Sequence, residues 1–153
     1  MTVAIRRLGP ADIEAMRDLN ALYAHAFQDP DHYSRDTPDD GWLARQLDKE
    51  ATIILVAEIE GEMVGGLTAY ELTKLEAERS EIYLYDLTVA ETQRRKGIAT
   101  ALITELQHIA VETDAWAVFV QADYADPPAV ALYTKLGVRE DVMHFDLPPL
   151  PRP

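Results

Sequence analysis

From Val89 to Thr100 the chain reads Val-Ala-Glu-Thr-Gln-Arg-Arg-Lys-Gly-Ile-Ala-Thr. Three consecutive cations, Arg94, Arg95 and Lys96, meet Gly97 just where a helical apolar spacing begins with Ile98, Leu102, Leu106 and Ile109. A helix start leaves backbone N–H groups without intrahelical partners and carries the positive end of the helix dipole. Gly97 and Ala99 let an oxyanion approach the main chain, so Arg94, Arg95, Lys96, Gly97, Ile98, Ala99 and Thr100 form a candidate phosphate cradle. The bare pattern alone suits a solvated surface turn better. Its place between an expected strand and an amphipathic helix is what raises the phosphate reading.

Carboxylates supply the second set of candidates. Glu81, Asp86, Asp123 and Asp146 fall at strand positions or strand ends. Simple alternation puts Asp86 on the face of Ile82 and Leu84, where desolvation would raise its pKa towards the range of a working general base. Glu81 then falls on the other face with Tyr83 and Tyr85, and a β-bulge would reverse that parity, so Asp86 and Glu81 both stand as base candidates. His25 could contact a substrate or relay a proton, although a lone histidine on a helix is more often structural.

Composition bounds the chemistry. With 14 Lys and Arg against 27 Asp and Glu, the formal charge is −13, which argues against a nucleic-acid partner and suits a cationic one. The absence of cysteine excludes disulfides and a thiol acyl-enzyme, and His25, His32, His108 and His144 lie too far apart for metal-ligand spacing, so no metal is expected. The N-terminus lacks the apolar core of a signal peptide and no apolar run is long enough to span a bilayer, so a soluble, cytoplasmic protein without a membrane partner is expected.

The elements that must position these residues follow from periodicity. A strand over Val3 to Leu8 precedes a helix from Ile13 to about Phe27; the Asp- and Pro-rich stretch Gln28 to Gly41 reads as a loop able to close over a ligand; Trp42, Leu43 and Leu47 start a short helix. The β-branched run Thr52 to Ile59, the turn Glu60-Gly61-Glu62 and the run Met63 to Leu72 predict a hairpin, and Glu81 to Val89 a third strand in a meander. An amphipathic helix from Ile98, a strand from Trp116 to Gln121, a helix capped by Asp126 and ended by Gly137, and a last strand from Glu140 to Leu147 complete the order. This predicts an α+β fold, a mixed central β-sheet with helices on both faces, as one domain over 1–147 followed by a Pro-rich tail over 148–153.

Arg94-Arg95-Lys96-Gly97-Ile98-Ala99 and Asp126-Pro-Pro-Ala-Val-Ala-Leu-Tyr-Thr-Lys-Leu-Gly137 together resemble the Q/R-x-x-G-x-G/A and N-x-x-A-x-x-L-Y-x-x-x-G elements of the GNAT superfamily of N-acetyltransferases. Asp126 stands where the family usually has Asn, and Ala99 where Gly is commoner. The resemblance implies the GNAT fold and acetyl-CoA as cofactor. It implies that the main chain of Leu87, Thr88 and Val89 holds the pantetheine arm, that Arg94 to Thr100 cradle the pyrophosphate, that Asp126 lies close to the cofactor arm, and that Ala129, Leu132 and Tyr133 line the thiol end. Tyr133 would be the general acid. The runs Ser80 to Val89, Gln121 to Tyr124 and Asp126 to Asp146 are similar to the aminoglycoside 3-N-acetyltransferases of this type, which implies a small cationic amine acceptor contacted by His25, Glu81, Tyr83, Asp123 and Asp146, and a homodimer. The alternatives are another cationic amine, such as a polyamine or a protein lysine or N-terminus, or an acyl-CoA-binding sensor without turnover.

Overall fold

The computed structural model describes residues 2–35 and 37–153. The chain divides into two units, one over 1–121 and one over 122–153.

The first unit is a five-stranded sheet in the order β1-β2-β3-β4-β5: β1 Ala4–Arg7, β2 Thr52–Ile59, β3 Glu62–Thr73, β4 Ser80–Val89 and β5 Ala115–Val120. The first four pair antiparallel and β5 pairs parallel to β4, which makes the sheet mixed. The hairpin between β2 and β3 closes in two residues because Glu60 and Gly61 both take positive φ (52° and 84°), the requirement of the turn whose twist matches paired strands.

Alternation along β2 splits the core into two layers. Ile54 and Val56 pack with Met16, Leu19 and Tyr23 of α1 (Ile13–Ala26) and with Leu43 and Leu47 of α3 (Asp40–Leu47). Helix α4 (Ile98–Glu112) packs on β2, β3 and β4 and buries Ile98, Leu102, Ile103, Leu106 and Ile109. Its sheet partners on that face are Leu55, Leu67, Ala69 and Leu84, all almost fully buried.

Two expectations are corrected. The stretch Gln28 to Gly41 is not all loop: α2 (Pro30–Arg35) forms within it, and α3 starts earlier than expected, at Asp40. Local capping explains both. The Asp29 carboxylate accepts from the His32 N–H at 3.2 Å and the Asp39 carboxylate from the Trp42 N–H at 2.7 Å. Asp36, part of the expected loop, lies outside the described residues.

The second unit holds α5 (Pro127–Leu136), with Asp126 as its N-cap accepting from the Ala129 N–H, and Pro127 in the first turn. The strand expected over Glu140 to Leu147 is not formed; no strand partner for it occurs among the described residues. Alternating apolar residues encode a strand only where a sheet edge is available to pair with it. Among the described residues, no helix is long and apolar enough to cross a membrane.

Gly66 permits the close approach of α1 to the sheet. A Cβ there would lie 2.6 Å from Leu19 Cδ1 and 2.9 Å from the Leu55 carbonyl oxygen. The expected outcome of Gly66→Ala is a loss of about 1–3 kcal/mol of stability, read as a lower urea midpoint with unchanged slope; an unchanged midpoint would show that α1 can move aside freely.

Candidate active site

Strand β4 carries the site through two irregularities. The first is a bulge. Thr68 of β3 pairs with Asp86 and the next residue, Ala69, pairs with Leu84, so Tyr85 is an extra residue in β4. Leu84 lies on the α4 face with Ala69, whereas Asp86 shares the α1 face with Thr68 and, through Thr68, with Ile54. The parity expected for Asp86 is therefore reversed: it does not share the face of Ile82 and Leu84, but that of Tyr83 and Glu81.

The second irregularity is a parting of strands. β5 follows β4 only as far as the Leu84↔Val120 pair, whereas β4 runs on to Val89. Leu87, Thr88 and Val89 remain paired to β3 through Leu67, Gly66 and Gly65 on one side only. Among the described residues no strand pairs with their alternate peptide groups on the other side, where a ligand's amides could bond.

Beyond Val89 a single turn of 3-10 helix (Glu91–Gln93) leads into the cation run. Arg95 takes φ 65° and Gly97 φ 80°, a left-handed conformation that glycine adopts without strain. Helix α4 starts directly after Gly97, with Ile98, Ala99 and Thr100 in its first turn. Arg94, Arg95 and Lys96 are exposed around it, with Arg94 Nε donating to the Val89 carbonyl at 3.3 Å and Lys96 Nζ to Gln93 Oε1 at 3.0 Å. A long α-helix N-terminus, flanking cations and an open strand edge are the features needed to hold a pyrophosphate and an amide-bearing arm, so these residues fit acetyl-CoA.

On the α1 face lies a cavity of about 430 Å³. Asp86 lines it with Tyr23, Tyr33, Trp42 and Tyr70, alongside the polar groups of Asn20, Gln46, Thr52 and Thr68. Burial pushes the Asp86 carboxyl above the ordinary aspartate range, and no hydrogen bond or ion pair to it is found among the described residues. Burial also raises Tyr23, Tyr33, Tyr70 and Tyr83, and the Asp86 charge raises each further. Tyr23 and Thr68 share a buried hydroxyl hydrogen bond of 3.0 Å behind this surface. A half-buried carboxylate ringed by aromatic faces is chemistry for an ammonium.

The other sequence candidates lie elsewhere or are already engaged. Glu81, at the opposite end of β4, accepts from Arg79 at 3.0 Å. Tyr83 stacks on Phe119 with centroids 4.7 Å apart and donates to Gln121 Oε1 at 2.8 Å. His25, exposed at the end of α1, lies 4.0 Å from Glu91, beside the approach to the cradle. In the second unit Asp123 accepts from the Ala125 N–H, Asp146 contacts the His144 ring at 2.9 Å, and Ala129, Leu132 and Tyr133 are half-buried on α5. Burial, and then Asp126, raise the Tyr133 phenol. Sequence reasoning missed the aromatic lining, whose only early signal was the density of Tyr23, Phe27, Tyr33 and Trp42 around the expected loop. Among the described residues, no group of three or more His, Asp or Glu could hold a metal ion.

The acetyltransferase (GNAT) family matches residues 14–138. The chain belongs to the GNAT family and is an acetyl-transferring enzyme. This GNAT chain is similar to an aminoglycoside acetyltransferase from an uncultured soil metagenomic sample, at 48% identity and a TM-score of 0.93 over 97% of this chain and 99% of that one. It is similar to a second aminoglycoside acetyltransferase from an uncultured soil metagenomic sample, solved in complex with sisomicin, at 31% identity and a TM-score of 0.89 over 95% of each chain. It is also 30% identical over 141 residues to the L-amino acid N-acetyltransferase of Escherichia coli (strain K12), covering 88% of this chain and 82% of that protein. The mixed five-stranded sheet with its helices is the GNAT fold.

The raised pKa of Asp86 gives a stability prediction with a definite sign. Below the ordinary aspartate value of about 3.9 the carboxyl is neutral in both folded and unfolded chains; as pH rises through the raised folded value, ionisation penalises the folded state alone. Asp86→Asn is expected to raise Tm at pH 7 and to match the parent below pH of about 3.5. A lower Tm at pH 7 would mean that the carboxylate is stabilised by its surroundings.

Proposed function

We propose that the chain transfers the acetyl group of acetyl-CoA to an amine of an aminoglycoside, at the 3-amino group of a 2-deoxystreptamine ring in gentamicin-like compounds, with drug resistance as the outcome. The observation that carries this reading is the cavity in which Asp86 faces Tyr33, Trp42 and Tyr70 beside the open edge of β4. The likeness to two aminoglycoside acetyltransferases supports it.

Acetyl-CoA, when bound, supplies the acetyl group as a thioester. The main chain of Leu87, Thr88 and Val89 would hold its arm and Arg94 to Thr100 its pyrophosphate, and by the family resemblance Asp126, Ala129 and Leu132 would be further cofactor residues. A substrate ammonium with a pKa of roughly 10 must lose a proton before it attacks, and Asp86, unpartnered and poised above the usual carboxylate range, takes it. The new N–C bond would form as the C–S bond breaks, and Tyr133, whose phenol burial and then Asp126 push above its ordinary value, would give its proton to the departing sulfur. Glu81 is the weaker base candidate because Arg79 already neutralises it. His25, Tyr83, Asp123 and Asp146 stand as acceptor contacts.

The match over residues 14–138 spans both units and supports reading residues 1–147 as one acetyltransferase domain with a Pro-rich tail over 148–153. A cytoplasmic homodimer fits the exposure of Val142, Met143, Phe145 and Leu147, and the sedimentation mass in solution decides it.

Incubating the purified chain with acetyl-CoA and a panel of sisomicin, other aminoglycosides, amino acids, spermidine and peptides is expected to release coenzyme A with the aminoglycosides and to give a 3-N-acetyl product by NMR. Tyr133→Phe is expected to lower kcat about 100-fold while leaving acetyl-CoA affinity within about twofold. Turnover of an amino acid, spermidine or a peptide but of no aminoglycoside would overturn the acceptor while leaving the enzyme class intact.

A further inference from the structure

The cavity on the α1 face has two charged lining residues among those described, Asp86 and Lys49, and they have opposite sign. Lys49 follows the C-cap Asp48 of α3, a place where a cation also complements the helix dipole. Its main chain closes the turn into β2, with the Thr52 N–H donating to the Lys49 carbonyl at 3.0 Å. The ammonium donates to Gln46 Oε1 at 2.6 Å, and Gln46 is itself part of the lining. Lys49 is exposed where the lining meets the start of β2, and its ammonium keeps two donors beyond the bond to Gln46.

Strand register relates the two ends of the lining. Thr52 pairs with Tyr70, Ile54 with Thr68, and Thr68 with Asp86, so Asp86 lies two strands across and two residues along from Thr52. With a strand spacing of about 4.8 Å and a rise of about 3.4 Å, the Thr52 and Asp86 backbones are ~12 Å apart.

We infer that Lys49 is a specificity-determining residue that orients the acceptor: the amine to be acetylated lies at Asp86, and a hydroxyl-rich or anionic end, not a second ammonium, lies at Lys49. This rests on reading the cavity as the acceptor site. The amides of Asn20 and Gln46 and the hydroxyl of Thr52 add neutral hydrogen-bonding groups to the lining, which suit the hydroxylated ring of an aminoglycoside. A polyamine, cationic along its whole length, meets like charge at that end.

Steady-state acetylation by the parent, Lys49→Gln and Lys49→Glu tests this with three probes: sisomicin, spermidine and alanylalanine. KM is read for a probe that is turned over and the competitive inhibition constant for one that is not. In Lys49→Glu the constant for spermidine is expected to fall about fivefold and that for alanylalanine to rise about fivefold, that for sisomicin, whose hydroxylated ring lies at this end, to change less than either, with kcat changed less than about twofold. Lys49→Gln is expected to move each in the same direction by less, and the shifts are expected to shrink as salt is added. Constants that all move in one direction, or that stay within twofold, would overturn the role of Lys49. Asp86→Asn run in parallel separates the two failures: if it leaves every constant and rate unchanged, the cavity is not the acceptor site, whereas if it abolishes turnover while Lys49→Glu shifts nothing, only the orientation by charge is wrong.

Discussion

The parting of β4 from β5 beyond Leu84 and Val120 is the constraint on which the site depends. A strand in mid-sheet spends its N–H and C=O groups on both neighbours, and β4 does so only over its first half. From Asp86 to Val89 its strand partner among the described residues is β3 alone. The parallel pairing makes this possible, because β5 must be reached by a crossover through α4, and the start of that crossover delivers the helix N-terminus to the open edge. Arg95 and Gly97, both at positive φ, turn the chain sharply enough to do so.

The bulge at Tyr85 supplies the second half of the arrangement. Without the extra residue, Asp86 would point with Leu84 into the layer beneath α4, where Leu102 and Leu106 leave no room or partner for a charge. With it, Asp86 points to the α1 face, where tyrosine rings exclude water from part of the carboxylate without neutralising it. The same displacement brings Asp86 beside the open edge of β4. The one-sided edge of β4 and the facing of the candidate base are thus set by features of one strand.

Much of the fold was legible in the sequence because it rests on periodicity. The hairpin at Glu60-Gly61, the meander into β4 and the amphipathic α4 are strong local signals, and the two motifs at Arg94 and Asp126 fixed the family. The facing of Asp86 was not legible, since a bulge costs one residue of register and has no compositional signature at Leu84-Tyr85-Asp86. Nor was the aromatic lining, which draws Tyr23, Tyr33 and Trp42 from three successive helices and Tyr70 from β3 onto one cavity. The alternation from Glu140 to Leu147 misled for the complementary reason: a strand pattern states what a segment can pair as, and pairing needs an edge that no local pattern reports.

The pH dependence of kcat/KM for acetyl transfer to sisomicin tests most directly the claim that the bulge makes Asp86 a working base. The account predicts an acidic limb governed by a carboxyl titrating above the ordinary aspartate range, with activity rising as pH passes through it, and loss of that limb together with most of the rate in Asp86→Asn. A full rate in Asp86→Asn with an unchanged acidic limb would contradict it.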